Sequence, residues 1–542
     1  MKKSNFLLIL IFALILRLLF INKPQGLWND EYVSWMISQK PLFNGFWQGV
    51  WGQCHMPFYY LYLKFFTSVF GNNDIILRLS SIIPGILAIP VMYLVGKIAH
   101  SQKVGKYCAV FCSISSFLIF YSQEVRLYSL LFLLSALSLL FTLKITKKPN
   151  RKNLLGYIIT NFLIIATHTI GFVYVFFNLV YVSFKLAKSH LKTIITIWTG
   201  IIISGISMLP LIIKIFTEKT FSQWWGYFTP SKIVFLFSDY FSPWLINLTN
   251  APDIYLFNPT PNFFIFSTIP TIIAGTLILK ALFKKENIEI FSVALLTLTV
   301  LIAAAISGKL VLLTKYSIEI YPVLILLACL GLSYINNNLL RKIIAILYLG
   351  ITLVFMAVNP RAPQRFPRPE GHKIVADMLI NCKLNEGDSI LIIYYAYDRF
   401  EKYFDFSPFI NSSINKGNFP AYMTPESNYS LAYENGHELY KSVLASSKND
   451  YFSEKFNTEI LSNIKPGQNL VIITFDGVSM LSDQNIQHIT SNEKIFSKTP
   501  IMYLIFSHIK NKAIEQSLKT LDLTGYQSGG SWSVIKFTKL HK

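Results

Sequence analysis

The chain has 542 residues, of which 53% are hydrophobic and only 14% are charged, whereas soluble domains carry about 25% charged residues. This composition indicates an integral membrane protein and excludes an ordinary soluble enzyme. The net charge of +21 is uneven, because residues 1–358 hold 29 of the 49 Lys and Arg but only 10 of the 28 Asp and Glu. Residues 359–542 are nearly neutral, so nucleic-acid binding, which needs a basic face on a soluble domain, is not expected.

The apolar residues are grouped into segments long enough to cross a bilayer, for which a helix needs about 20 mostly apolar residues. The sequence predicts a polytopic α-helical membrane protein with about 11 transmembrane helices. The predicted spans are 5–22, 75–98, 105–121, 127–145, 153–168, 170–187, 193–216, 263–283, 289–306, 316–334 and 339–358.

Lysine and arginine are concentrated in alternate connections between these segments, which the positive-inside rule places in the cytoplasm. The N-terminus is then cytoplasmic, and a first outer loop extends over about 23–74. We expect a multi-pass protein of the inner (plasma) membrane, with a transmembrane catalytic domain at 1–358 and a soluble extracytoplasmic domain at 359–542.

Local patterns predict structure outside the spans as well. The first outer loop is expected to form two interfacial helices, at 31–39 and 57–70. In the soluble domain, the hydrophobic pattern indicates a small α/β or α+β fold. Its predicted elements are a helix at 372–381 and strands at 389–396, 469–475, 502–506 and 532–537.

The most unusual polar feature is the adjacent pair Asp30 and Glu31, which follows Trp28 just after the first apolar segment. Carboxylates beside a bilayer are costly unless they are solvated or used. Transfer from a lipid-linked phosphate at such an interface would need a base for the acceptor hydroxyl, cations or a metal for the leaving phosphate, and a groove for the lipid. The pair therefore points to a catalytic or ion-binding site at the outer face.

Further polar motifs occur at the outer ends of the spans. They are WNDEY at 28–32, HMPFYY at 55–60, YSQEVRLYS at 121–129, Thr167-His168 followed by Gly171, and Lys315-Tyr316 followed by Pro322. In order and spacing they resemble the motifs W-x-D-E, H-P-P-L-Y-Y, S-Q-E-x-R-x-Y-S, T-H-x-x-G and R-Y-x(n)-P of the GT-C glycosyltransferases of family 39. This family includes protein O-mannosyltransferases and aminoarabinose transferases, and the resemblance covers about residues 5–358.

The resemblance implies a GT-C fold and an inverting transfer of a sugar from a polyprenyl-phosphate donor to a glycolipid, surface polysaccharide or protein acceptor. It implies Asp30 as the catalytic base and Glu31 as its companion. It also implies a divalent metal cation as a cofactor, with Glu124 and Asp30 as its ligands. Contacts to the substrate or the donor phosphate are assigned to His55, Tyr59, Arg126, His168, Lys315 and Tyr316.

Structural roles remain open alternatives for several of these residues. Asp30 can cap a helix that starts at Glu31, and Glu124 can pair with Arg126. Arg126 can instead extend to the lipid headgroups, and His168 can be a packed helix end.

The sequence departs from the family motifs at two positions. Met56 stands where the family has the first of two prolines, so the local loop can differ. Lys315 stands where the family has arginine, which keeps the charge but loses bidentate recognition of a phosphate.

Two rival functions also stay open. One is a polymerase or ligase of lipid-linked glycans, and the other is a membrane flippase or transporter. A transporter would be expected to carry charges or helix breaks at mid-membrane and an inverted repeat. Here the acids lie at the outer ends of the spans.

Overall fold

The computed structural model describes residues 3–19, 21–22, 26–187, 190–217, 231–241, 261–308, 312–358, 372–385, 388–393, 402–403, 465–475, 521–529 and 532–539. The chain separates into two compact units. One unit comprises residues 1–22 and 33–366, and the other comprises residues 23–32 and 367–542. The short segment that bears the acidic pair is thus grouped with the C-terminal part of the chain.

Helices make up the described part of the first unit. In chain order they are α1 Lys3–Leu18, α2 Asn29–Gln39 (whose first residues belong to the second unit), α3 Trp47–Gly52, α4 Pro57–Phe70, α5 Asp74–Ala99, α6 Gln102–Ile114, α7 Ser116–Ser122, α8 Tyr128–Lys147, α9 Arg151–Thr167, α10 Gly171–Leu186, α11 Leu191–Ile206, α12 Leu209–Thr217, α13 Ser231–Phe241, α14 Pro261–Leu282, α15 Lys285–Ile306, α16 Tyr321–Ser333 and α17 Asn338–Val358. A 3₁₀ turn, Thr314–Ile320, leads directly into α16.

Each predicted span coincides with one of these helices or with a consecutive pair, and the helices expected at 31–39 and 57–70 are present as α2 and α4. Within the described residues, four helical runs are long and apolar enough to cross a membrane: Asp74–Ala99, Tyr128–Lys147, Lys285–Ile306 and Thr314–Ser333. The bent pair α6–α7 makes a fifth if it is counted as one span. A total of about 11 spans therefore remains a prediction.

Large apolar side chains lie exposed along several helices, among them Leu7, Leu8, Ile202, Ile203 and Phe184. A surface of this kind is unfavourable in water and favourable in lipid. Together with the four long apolar runs, it identifies the first unit as a membrane-embedded helical body.

A sharp bend separates α6 from α7, whose axes differ by 56°. Ser115 lies at the break, and its hydroxyl accepts a hydrogen bond from Leu118 N–H as the N-cap of α7. The break leaves the last carbonyls of α6 without helical donors. Arg17 of α1, which is fully buried, provides the missing donors. Its guanidinium donates to the carbonyls of Cys112 (3.0 Å) and Ser113 (3.1 Å).

The described part of the second unit contains helix α18, His372–Asn381, and a four-stranded sheet. The strands are β1 Ser389–Ile393, β2 Asn469–Phe475, β3 Leu521–Gly529 and β4 Trp532–Lys539, in the order β1-β2-β4-β3. β1 and β2 are parallel, and the other two pairs are antiparallel. The strands expected at 389–396, 469–475 and 532–537 are found over their described residues, and 502–506 lies outside the described residues.

Candidate functional site

The acidic pair lies in the first turn of α2, which begins at Asn29 and not at Glu31 as expected. Glu31 is buried, and its Oε2 accepts a hydrogen bond from the backbone N–H of Trp28 at 3.1 Å. This is the bond by which a glutamate at the third helical position caps a helix. The capping role considered for Asp30 is thus filled by Glu31, while Asp30 is partly exposed.

The segment before the acidic pair is fixed within the second unit. Leu27 N–H donates to the hydroxyl of Tyr403 at 2.8 Å. Gly26 adopts φ +75°, in the left-handed region that favours glycine, and a Cβ there would lie 2.7 Å from the same hydroxyl. Only glycine fits this position, so the path of the chain into α2 is tightly specified.

The His55 motif forms a second group of polar residues. Pro57 is the first residue of α4, where a proline has no hydrogen bond to lose, and Met56 before it is extended. The imidazole Nδ1 of His55 hydrogen-bonds the hydroxyl of Tyr60, and the two rings are stacked with centroids 5.9 Å apart. Tyr59 is buried and meets Tyr60 edge-on at 5.6 Å.

The third motif forms the connection between α7 and α8. Glu124 and Arg126 are both buried, and Arg126 Nη1 donates to the hydroxyl of Ser34 on α2 at 3.0 Å. The guanidinium also lies over the ring of Tyr128, 6.0 Å from its centroid. Arg126 is therefore held inside the protein and does not extend to the lipid headgroups, which was its structural alternative.

Lys315 brings a second cation to the same aromatic ring. Its ammonium lies 5.7 Å from the centroid of Tyr128 and 5.4 Å from that of Tyr316, and only 6% of the residue is exposed. Aromatic faces attract cations. Tyr128 thereby brings together Arg126 and Lys315, which are far apart in the sequence.

His168 extends this arrangement at the end of α9. Its ring lies 6.0 Å from that of Tyr316, and its Nδ1 is 2.6 Å from Oε1 of Glu319. Arg126, Lys315, Tyr316 and His168 are four of the nine predicted site residues, and Tyr128 connects them. We call these five residues the cation row.

Three residues with a part in this geometry were not assigned a role from the sequence. Glu319 and Tyr128 lie in predicted spans, and Arg17 lies in the first apolar segment. A charged residue within a membrane segment is itself a signal of function or of a specific partner. That signal was available for Glu319 and Arg17, whereas the role of Tyr128 depends on tertiary contacts.

A metal was expected at Glu124 and Asp30. Among the described residues, no three or more His, Cys, Asp or Glu side chains come together in a set that could hold a metal ion. A divalent cation bound by Glu124 and Asp30 stays a prediction.

Comparison with known proteins gives a family match and structural matches. Residues 54–213 match the family model described as dolichyl-phosphate-mannose-protein mannosyltransferase. This stretch contains the motifs of His55, Arg126 and His168, while the acidic pair and Lys315 lie outside it. No curated protein sequence matches the chain.

Among solved structures, the chain is similar to ArnT from Cupriavidus metallidurans. The structure bound to undecaprenyl phosphate has 12% identity and a TM-score of 0.52, with 99% of this chain and 98% of that chain covered. The apo structure has 11% identity and a TM-score of 0.53, with 98% of both chains covered. The apo oligosaccharyltransferase of Archaeoglobus fulgidus also matches, with 11% identity, 99% and 89% coverage and a TM-score of 0.45. The similarity to ArnT extends over the whole length of both chains and shows a common fold.

Proposed function

We propose that this chain is a membrane glycosyltransferase of the GT-C, family-39 type, which transfers a sugar from a polyprenyl-phosphate donor to an acceptor hydroxyl. Two comparisons support the donor class. The matched family is named for dolichyl-phosphate-mannose, and ArnT was crystallised with undecaprenyl phosphate. The acceptor, whether glycolipid, surface polysaccharide or protein, is the open part of the proposal.

The observation that carries the proposal is the cation row. Arg126 and Lys315 are each 6% exposed and lie against one tyrosine ring. Two buried cations that lie against the same ring, in surroundings of low dielectric constant, favour the binding of an anion near them. The phosphate of a lipid-linked donor is the anion that a membrane enzyme of this fold would place there.

The proposed reaction is a direct displacement. The carboxylate of Asp30 accepts the proton of the acceptor hydroxyl as the oxygen attacks the anomeric carbon of the sugar. The bond between that carbon and the phosphate oxygen breaks, with inversion, and polyprenyl phosphate leaves with both electrons of the bond. Arg126 and Lys315 stabilise the charge that develops on the leaving phosphate.

The proposal includes the location of the reaction. The basic connections between spans support a cytoplasmic N-terminus and an acidic pair on the outer side of the inner membrane. Nucleotide sugars are confined to the cytoplasm, so a lipid-linked sugar is the donor suited to this side.

The test is transfer from radiolabelled polyprenyl-phosphate sugars in membranes that contain the wild type or Asp30→Asn. We expect the wild type to consume at least one donor and Asp30→Asn to lose at least 10²-fold in rate, since a general base contributes about 10²–10⁴-fold. Transfer by Asp30→Asn at the wild-type rate would refute the role of Asp30. Movement of an intact lipid-linked sugar without transfer would favour a flippase, and growth of a lipid-linked glycan chain would favour a polymerase.

Asp74→Asn is the matched control. Asp74 lies in the first turn of α5, as Asp30 does in the first turn of α2, so the same chemical change is made in the first turn of a helix. This variant should transfer sugar at the wild-type rate.

A further inference from the structure

Glu319 is a buried carboxylate to which the proposed reaction gives no role. It lies on the 3₁₀ turn Thr314–Ile320, in the same turn as Lys315 and Tyr316, and its side chain is fully buried. Oε1 lies 2.6 Å from Nδ1 of His168. The pair joins this turn to the end of α9, two elements that are distant in sequence.

The contact fixes the state of the imidazole. With this contact taken as a hydrogen bond to an ionised carboxylate, which has only acceptor oxygens, Nδ1 of His168 carries the hydrogen and donates it to Oε1. This determines both the ring orientation and the tautomer, as carboxylates do for histidines in many functional sites. Nε2, on the other side of the ring, is then the nitrogen that can meet a ligand.

The surroundings of the ring favour an anionic ligand. The rings of His168 and Tyr316 are 6.0 Å apart, and the ammonium of Lys315 lies over Tyr316. His168 therefore stands at the end of the row that also contains Arg126. An imidazole with 11% of its side chain exposed can present Nε2 to a group bound among these cations.

Stability alone does not account for Glu319. Oε2 is buried and makes no hydrogen bond to any described residue. A buried carboxylate with an unsatisfied oxygen is unfavourable for folding, and a buried pair of this kind can often be replaced as a whole by apolar side chains without loss of stability. A carboxylate retained there is better explained by its effect on His168.

We propose that Glu319 is a positioning residue, which holds His168 so that Nε2 binds the phosphate of the lipid donor. His168 is then the third phosphate contact beside Arg126 and Lys315. This inference rests on the proposed function, because it assumes that the cation row receives the phosphate of a polyprenyl-phosphate sugar.

The experiment measures the binding of polyprenyl phosphate and of the uncharged polyprenol to the purified full-length protein in detergent. The variants are His168→Gln, Glu319→Gln and the double variant. Losing a hydrogen bond to a charged group should weaken binding of polyprenyl phosphate about tenfold in His168→Gln. Glu319→Gln, which keeps an acceptor but removes the charge, should lose less. The double variant should match His168→Gln, because Glu319 acts through His168.

Polyprenol provides the readout that a merely structural role would not give. Its binding should be the same in the wild type and all three variants, since it has the lipid but not the phosphate. Losses that add in the double variant, or an equal loss of polyprenol binding, would overturn the inference. If Glu319→Gln fails to fold, His168→Gln, changed at a partly exposed helix end, still tests the phosphate contact, and wild-type affinity in that variant would refute it.

Glu289→Gln is the matched control for the loss of a paired carboxylate. Glu289 of α15 forms an ion pair with Lys185 of α10. The same substitution at Glu289 should leave the affinities for polyprenyl phosphate and for polyprenol unchanged. If the wild type transfers sugar but Glu319→Gln binds polyprenyl phosphate normally, the inference alone fails. If the wild type neither binds polyprenyl phosphate nor consumes its sugar, the proposed function fails with it.

Discussion

Asp30 and Glu31 are adjacent in sequence but are held differently. Glu31 is buried and bonded to the backbone of Trp28, while Asp30 is partly exposed in the same turn. A base must reach the acceptor, whereas a capping carboxylate must face its own helix end. The geometry therefore supports a structural role for Glu31 and leaves Asp30 as the member of the pair proposed as the base.

This division predicts different outcomes for neighbouring substitutions. Glu31→Ala removes the cap and should lower the free energy of unfolding by about 1 kcal/mol. Glu31→Gln keeps an oxygen that accepts from Trp28 N–H and should unfold close to the wild type, as should Asp30→Asn. Thermal unfolding in detergent measures all three. Equal destabilisation by Glu31→Gln and Glu31→Ala would show that the charge, not the hydrogen bond, matters.

Lys315 allows a direct test of the cation row. Lys315→Met should lower kcat/KM for the donor by about 10- to 10²-fold, the loss expected when a charged contact of about 1.5–3 kcal/mol is removed. Lys315→Arg, which restores the residue of the family motif, should recover most of the rate. Lys185→Met is the control, because Lys185 pairs with Glu289 and has no part in the row. An unchanged rate in Lys315→Met would remove Lys315 from the site.

At the scale of elements, α14 and α16 approach each other closely at Gly331. A Cβ at Gly331 of α16 would lie 1.8 Å from the carbonyl oxygen of Leu277 on α14. Small residues at helix interfaces allow membrane helices to approach each other in this way. The absent side chain of Gly331 therefore sets the distance between the two helices.

Gly331→Ala should destabilise the protein by about 1–3 kcal/mol, because the helices must separate to admit a methyl group. Gly275→Ala on α14 is the matched control, since a Cβ there would have no atom within 4 Å. The midpoint of thermal unfolding in detergent distinguishes the two variants. A similar midpoint for both would mean that the helices adjust to the added methyl group without cost.

Prediction from sequence succeeded where the signal was local and failed where it was not. The apolar runs located the helices because hydropathy over about 20 residues is a direct consequence of the membrane. The break at Ser115 was missed because the residues on both sides are apolar. β3 was missed because its sequence, LDLTGYQSG, is mostly polar, as suits its place at one end of the sheet formed by the described strands.

The same limit applies to the candidate site. The motifs supplied Arg126, His168 and Lys315 by resemblance, and the structure places them along one row. The pairing of His168 with Glu319 and the bond from Leu27 to Tyr403 could not be predicted, because each joins segments separated by more than a hundred residues. Such contacts depend on how the helices pack, which a single sequence does not encode locally.

For the whole molecule, the orientation in the membrane is the prediction with the broadest consequence. A cysteine introduced at exposed Lys465 should react with a membrane-impermeant thiol reagent in intact cells. One at exposed Lys103 should react only after the membrane is opened. The native thiols give a low background: those at 54, 108, 112 and 329 are buried, and burial raises the pKa of the Cys382 thiol, which slows its reaction near neutral pH. The reverse labelling pattern would show that the chain has the opposite orientation in the membrane.

The buried guanidinium of Arg17 has a consequence for how the chain can be engineered. Many N-terminal membrane anchors can be exchanged for any stretch of equal length and hydropathy. Here α1 also carries the donor for two backbone carbonyls at the α6–α7 bend, and Gln123 donates back to the carbonyls of Arg17 and Leu19. A generic leader in place of residues 3–18 would insert but leave those carbonyls without a partner in an apolar interior. The first helix is therefore not interchangeable, and any replacement must keep an arginine at position 17.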